Sequence, residues 1–523
     1  MSVTTASALT RHADGERLVS RVTLADSARP RLPVLAPFTG EQLATIPLGE
    51  PADVELAIRR ARGSGPRWSS VNVRERSQVL LRFHDLLLER REEALDVIQL
   101  ESGKARRHAF EEILDTALVA RHYGVHAARY LRPRRRAGVF PLLTSTLEIH
   151  HPVGVVGVIS PWNFPLILGI TDVLAALVAG NAVVLRPDEQ SSLTALWAAQ
   201  LLEEAGLPRE VLQVVTGRGP VLGPPLIAGV DFLMFTGSTK TGRTVATEAA
   251  ERLIGFSLEL GGKNPMLVLE DADLDAAVDG AVRGSFVGAG QVCVSFERIY
   301  VHEALYERFL DRFVQRVRSL RLSASLDYDA DMGSLTVPRQ ITAVEEHLRD
   351  ALDKGATLLA GGKRRPDIGP LFYEPTVLTG VTPAMRLYAE ETFGPVVALY
   401  RFADDADAIA RANDTRFGLN GSVWSRRTSH ALRVARQLQV GTVNINESYA
   451  ATWTSTASPI GGMKESGFGR RHGAEGILKY TETQTIAIQR GVALAPLPGM
   501  SEPTYGRVMP ALLRVMRRLP GLR

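Results

Sequence analysis

Apolar residues recur at helical spacing from Ala52 onward. Val54, Ala57, Ile58 and Ala61 share a face, and Val79–Leu88 and Ala94–Leu100 continue the period. Beyond His150 short β-branched runs alternate with helical stretches. The pattern predicts a strand at Val153–Ile159, a helix at Leu166–Ala179, a strand at Ala182–Leu185 and a helix at Ser192–Ala205. Strands at Val211–Val215 and Phe232–Phe235 follow. A second series after Leu260 has strands at Pro265–Leu269, Ile299–Val301, Val396–Phe402 and Thr442–Asn446. Strands alternating with helices predict an α/β chain with parallel, doubly wound sheets covered on both faces.

The flanks read differently. Residues 1–36 are polar and loop-like, an N-terminal arm or a partly disordered segment. The basic run Arg132–Arg136 has no interleaved aromatics and reads as a solvated turn rather than a nucleic-acid patch. Pro496, Pro498 and Pro503 form a stiff connector. Beyond it, Tyr505–Leu519 predicts an amphipathic helix within a 491–523 tail. Val508, Met509, Leu512, Val515, Met516 and Leu519 oppose Arg507, Arg514, Arg517 and Arg518. Docking on its own protein or on a sister subunit is expected ahead of contact with an anionic membrane.

Composition narrows the class. A chain of 523 residues implies more than one domain. Lys and Arg number 61 against 57 Asp and Glu, a balance too even to imply nucleic acid. The longest apolar stretch, Val173–Leu185, is broken by Gly180 and Asn181 and is too short to span a bilayer. The N-terminus has no apolar run, and Asp14, Glu16 and Asp26 argue against a transit peptide, so a cytoplasmic location is expected. Cys293 is the only cysteine, which excludes an internal disulfide and a thiolate metal site; no metal is expected.

A lone cysteine is most often a small buried hydrophobe. Here Gly288, Ala289 and Gly290 precede it, so the backbone can turn and a ligand can approach. Four other segments carry candidate chemistry. Asn163 lies between the two prolines of Pro161–Pro165 and could present its amide to an oxyanion. Gly237 and Ser238 open a helix after a strand and could bind phosphate, although their order is not G-x-G-x-x-G and a plain N-cap explains Ser238 equally well. Glu259 stands beside a glycine pair, as a general base or as an ordinary solvated acid. Glu391–Pro395 is a similar carboxylate-plus-glycine turn.

Taken in order, PWNFP, GNAVVLRPDE, FTGSTKTG, LELGGKNP, GQVCVS, ETFGPVV and PIGGMKESGFGRR resemble the aldehyde dehydrogenase superfamily over Thr39–Ile488. Arg365–Thr379 and Arg470–Glu482 are most similar to its succinate-semialdehyde dehydrogenase (NADP+) group, second type. The resemblance implies a dinucleotide-binding domain at 37–137 and 152–260 and a catalytic domain at 261–477. It also implies a β arm at 138–151 and 478–490 that joins subunits into a homodimer or homotetramer. Cys293 would attack the aldehyde as thiolate, Asn163 and the Cys293 N–H would hold the oxyanion, and oxidation would leave a thioester. Glu259 would then activate water. Its presence favours hydrolysis over transfer to coenzyme A, and the complete trio argues against an idle binding or structural protein.

For the cofactor, the resemblance places Trp162 and Ser238 along the pyrophosphate and its approaches, and Asn163, Gly237 and Leu260 among the other cofactor-binding residues. Glu391 and Phe393 would lie at the nicotinamide ribose, with Arg186, Pro187, Asp188 and Glu189 at the adenosine ribose. Glu189 would repel a 2′-phosphate, whereas Arg186, in place of the usual lysine, would suit one. The balance favours NAD, with NADP use open. Where the family's succinate-semialdehyde enzymes carry substrate-gripping arginines, this chain has Thr171 and Val287. Phe286, Val287, Tyr449 and Trp453 imply an apolar channel, so a bulkier aliphatic or aromatic aldehyde rivals succinate semialdehyde.

Overall fold

The computed structural model describes residues 15–139, 143–490 and 494–518. Two sheets organise it. The first has six strands in spatial order Gly467–Phe468, Gly255–Glu259, Phe232–Thr236, Val155–Ile159, Ala182–Arg186 and Leu212–Val214. All pair in parallel except the edge strand Gly467–Phe468. Its central strands are buried at every position, as expected for strands covered on both faces. The helix Pro165–Ala179 is likewise buried at every residue and packs against the sheet. Strand order reverses at Val155–Ile159: Ala182–Arg186 lies on one side and Phe232–Thr236 on the other. A crevice opens at such a switch point, beyond the carboxyl ends of the strands.

The second sheet has seven strands, in the order Thr357–Ala360, Thr376–Thr379, Val396–Phe402, Phe296–His302, Asn264–Val268, Asn420–Trp424 and Thr442–Ile445. Only Thr357–Ala360 runs antiparallel to its neighbour. Residues 260–263 connect the end of Gly255–Glu259 to the start of Asn264–Val268. The carboxyl edge of one sheet therefore meets the amino edge of the other. Cys293 and Glu391 precede Phe296–His302 and Val396–Phe402, so both enter from that amino edge.

Three peripheral segments depart from the sequence reading. Arg134–Ala137, expected as a turn, is the outer strand of a three-stranded antiparallel sheet with Thr144–Pro152 and Thr481–Gln489. Arg136 reaches across to Glu148 at 2.8 Å, and charged side chains suit a sheet edge. The N-terminal arm is packed over its described part. The helix Gly15–Val19 buries Leu18 and Val19, and Arg31–Leu35 pairs with Gln42–Pro47. The high mean polarity of the segment hides this small apolar cluster; residues 1–14 lie outside the described residues.

The tail helix spans Glu502–Met516, with Pro503 in its first turn rather than in the connector. It buries no residue, and Val508, Leu512, Leu513 and Val515 are exposed, so it does not dock on its own subunit. Leu519 lies outside the described residues. No helix among the described residues is long and apolar enough to cross a membrane. No cluster of three or more His, Cys, Asp or Glu side chains placed to hold a metal occurs among them.

Candidate active site

The loop before Cys293 turns through three consecutive left-handed residues: Gly288 (φ 56°), Ala289 (φ 57°) and Gly290 (φ 72°). At Gly290 a Cβ would lie 2.1 Å from the Gly394 carbonyl oxygen, so only glycine lets this loop approach the Glu391–Pro395 turn so closely. Gln291 fastens the loop, donating to the Gly288 carbonyl at 3.0 Å and accepting from the Thr336 N–H at 3.0 Å. Asn264, at the start of its strand, donates to the Cys293 carbonyl at 2.7 Å and to the Ser295 carbonyl at 2.8 Å. The backbone that carries the thiol is thereby held by the Gln291 and Asn264 side chains.

Asn163 follows the switch-point strand, and its amide donates to the Gln291 carbonyl at 2.9 Å. One amide hydrogen is thus spent on the cysteine loop, leaving the second for a ligand. Cys293 and Asn163 line one cavity. Glu259 ends its strand beyond the lining of that cavity. It is buried, and its Oε1 has no hydrogen-bond partner among the described residues.

Electrostatics couples these groups. Burial pushes the Cys293 thiol up to about 12; the charges of Glu259 and Glu391 add to this and Arg471 opposes it. Burial pushes Glu259 up to about 7, with Arg471 and Lys479 opposing. Both cations belong to a cluster around Asp172, which Arg471 pairs with and Lys479 reaches at 2.9 Å. Burial disfavours the Asp172 charge, yet these cations hold it below the usual carboxylate range. At neutral pH the cysteine is therefore a thiol, and Glu259 stands close to the midpoint between carboxyl and carboxylate.

Behind Asn163 sits a pair that the sequence reading missed. Lys104 donates to the Asn163 carbonyl at 2.7 Å and to Glu112 at 2.5 Å. Glu112 in turn accepts from the Leu166 and Ile167 N–H groups at 2.8 and 3.2 Å, capping the helix that follows Asn163. Both are fully buried, which raises the Glu112 pKa and lowers that of Lys104. Lys104→Met should leave Glu112 as an unpaired buried acid and destabilise the fold by about 3–5 kcal/mol. Its denaturant midpoint, compared with that of the parent protein, measures this.

The remaining sequence-predicted residues gather at the carboxyl edge of the first sheet. Trp162 meets Phe393 edge to face, with ring centroids 5.6 Å apart. Glu391 is half-buried and accepts from the Gly262 N–H at 2.8 Å; a Cβ on Gly261 would lie 2.3 Å from its other oxygen. Burial pushes Glu391 up to about 8, with the charge of Glu297 adding to it. Glu297, which sequence reasoning missed, accepts from the Thr392 and Phe393 N–H groups and pairs with buried Lys263.

Leu260 is buried next to Glu259. Ser238 caps the helix Thr239–Glu251, accepting from the Thr241 N–H at 3.3 Å, and Gly237 precedes it. The plain cap is thus real, and the helix N-terminus still offers N–H groups to a phosphate. Arg186 ends its strand, donates to the Gly217 carbonyl at 2.7 Å and pairs with Glu189 at 2.6 Å. Pro187 and Asp188 connect the two, and Asp188 accepts from the Gln190 N–H at 3.1 Å. A helix N-terminus at Ser238, the Glu189 carboxylate and the half-buried Glu391 at the end of this sheet are groups that fit a dinucleotide.

Phe164, Ile167, Leu168, Val292, Val294 and Trp453 are among the apolar residues that line the cavity around Cys293. Glu111, Asp115 and Arg283 also line it, and the sequence reading found none of the three. Of the positions where substrate-gripping arginines were sought, Thr171 is buried and bonds back to the Ile167 carbonyl at 2.7 Å, and Val287 is buried in the apolar cluster beneath the cysteine.

A strand-switch crevice with a half-buried thiol, an amide and an unpaired carboxyl beside it is the arrangement of a doubly wound α/β enzyme. The sequence profile of the aldehyde dehydrogenase family matches residues 24–486, and the chain belongs to that family. A Mycolicibacterium smegmatis protein, provisionally named succinate-semialdehyde dehydrogenase (NADP+), is 51% identical over 510 residues, 97% of this chain and 99% of that protein. The solved succinate-semialdehyde dehydrogenase of Burkholderia pseudomallei has a TM-score of 0.84 at 36% identity, over 88% of this chain and 95% of its own. Betaine aldehyde dehydrogenase of Staphylococcus aureus, solved in complex with NAD+, has a TM-score of 0.85 at 31% identity, over 92% and 98%.

Proposed function

We propose that the protein oxidises an aldehyde to its carboxylic acid, with Cys293 as nucleophile, Asn163 as oxyanion donor and Glu259 as base. The observation that carries this is the opening of the Cys293 thiol and the Asn163 amide onto one cavity, with an unpaired carboxyl electrostatically coupled to the thiol. Sulfur adds to the carbonyl carbon as the thiol proton leaves to a base. The second Asn163 amide hydrogen and the Cys293 N–H receive the oxyanion. A nicotinamide dinucleotide, when bound, supplies the two-electron oxidant that turns the thiohemiacetal into a thioester. Glu259 takes a proton from water, which attacks the thioester and frees the acid and the thiol. Incubation with aldehyde and dinucleotide should yield equal amounts of acid and reduced dinucleotide. An acyl-CoA product on adding coenzyme A would replace hydrolysis with transfer.

Trp162, Gly237, Ser238, Glu391 and Phe393 would hold the pyrophosphate and nicotinamide ribose, and Arg186 and Glu189 the adenosine ribose. NAD is the favoured cofactor. The Arg186 guanidinium is committed to Gly217 and Glu189, and Glu189 presents a negative charge where a 2′-phosphate would sit. The name of the M. smegmatis relative speaks for NADP. Glu189→Ser should remove the repulsion, release Arg186 toward a phosphate and raise the NADP-to-NAD ratio of kcat/KM about tenfold. An unchanged ratio would mean that the 2′-phosphate is read elsewhere.

The apolar cavity wall favours an aldehyde with an apolar body. Succinate semialdehyde is the second reading, favoured by the names of relatives; Arg283 is the cation lining the cavity that its carboxylate could meet. The antiparallel arm supports a homodimer or homotetramer. Thr481–Gln489 is exposed along nearly its whole length, and no strand lies on its outer side among the described residues.

A further inference from the structure

The cavity beside Cys293 contains one polar group with no internal counterpart. Asp115, on the helix Arg106–Leu131, is 2% exposed and lines the cavity, and neither carboxylate oxygen has a hydrogen-bond partner among the described residues. The Trp453 indole lies beside it without forming a hydrogen bond of normal geometry. The other charged lining groups are already paired. Glu111, one turn earlier, accepts from the Tyr449 hydroxyl at 2.9 and 2.7 Å. Arg283 stands 3.7 Å from Glu111 and 3.4 Å from Glu447, with its guanidinium over the Tyr449 ring.

Buried polar groups are almost always paired, and a buried carboxyl facing an apolar space without a donor is costly. A ligand that brings an N–H or O–H group into the cavity removes that cost. One that brings a carboxylate adds a second anion to an enclosed space. Burial pushes Asp115 up to about 7, with Arg471 opposing, so both its protonation states are accessible near neutrality.

The geometry points to a substrate class: an apolar-bodied aldehyde whose tail carries a hydrogen-bond donor, a hydroxyl or an ammonium, that binds Asp115 while the carbonyl meets Cys293. This rests on the reading of the protein as an aldehyde oxidiser. Glu111 is held by the Tyr449 hydroxyl and Arg283 lies between Glu111 and Glu447, which leaves Asp115 to select among tails.

The test uses the full-length enzyme with a nicotinamide dinucleotide and six-carbon aldehydes that differ only at the far end: methyl, hydroxyl, ammonium or carboxylate. At least one donor-tailed aldehyde should exceed the methyl-ended one in kcat/KM by tenfold or more, and the carboxylate should fall below it. Preference for one or both donor tails tells hydroxyl from ammonium recognition. Asp115→Leu should lower the donor-to-methyl ratio at least tenfold. Asp115→Asn, of the same shape, should lower the ammonium ratio but keep a hydroxyl ratio, because its carbonyl still accepts. Equal kcat/KM for methyl and donor tails, or ratios unmoved in both variants, would overturn the inference while leaving aldehyde oxidation standing. No turnover of any of these or of shorter aldehydes would overturn the activity itself and the inference with it.

Discussion

Cys293→Ala is expected to remove aldehyde oxidation, with kcat lowered by at least about 10⁴-fold. The chain contains no other thiol, and the side chains lining the cavity include no second nucleophile of comparable strength. Cys293→Ser should fare little better. The site already holds the far more acidic thiol up to about 12, and a hydroxyl in the same place would be harder still to deprotonate. Steady-state reduction of the dinucleotide, with either NAD or NADP, reads the loss. Wild-type rates in the alanine variant would remove Cys293 from the chemistry.

Glu259→Gln should separate the two halves of the reaction. Glu259 is one of the negative neighbours that hold the Cys293 thiol up, so its neutralisation favours the thiolate and lets acylation proceed. Hydrolysis loses its base and should slow by about 10²–10⁴-fold. Pre-steady-state traces should then show a burst of reduced dinucleotide close to one per site, followed by a slow phase. The pH profile gives a second signature. A carboxyl pushed up to about 7 is a base only above that value, so hydrolysis by the parent enzyme should rise with pH through about 7. The variant should lack this limb. An unaltered limb in Glu259→Gln would assign the titration, and the water activation, to another group.

The main-chain architecture was legible where burial is two-sided. Val155–Ile159, Ala182–Arg186 and Phe232–Thr236 are continuous apolar runs, and the expected ends fall within two residues of those observed. Legibility failed where local polarity masked tertiary pairing: at Leu18 and Val19 within a polar stretch, and at Arg134–Ala137, whose pairing depends on a strand beginning at Thr144.

Cys293, Asn163 and Glu259 were singled out from ordered motifs, and Cys293 and Asn163 meet at one cavity. Lys104, Glu112, Asp115 and Arg283 were not, because they lie outside those motifs, Lys104 in the loop between two helices and the others on the helices Arg106–Leu131 and Leu274–Phe286. One signal was present: His108, Glu112, Asp115 and Thr116 recur at helical spacing among Ala109, Ile113 and Ala117, and all are buried. A polar stripe on a core-facing helix calls for partners: His108 accepts from the Gly288 N–H of the cysteine loop, and Glu112 pairs with Lys104 behind Asn163.

The most direct measurement is the mass of Glu259→Gln after incubation with an aldehyde and a nicotinamide dinucleotide. The protein should gain the mass of one acyl group, carried by the peptide that contains Cys293. An unmodified Cys293 peptide in a variant that still reduces the dinucleotide, or an acyl group on any other residue, would contradict a covalent route through this thiol.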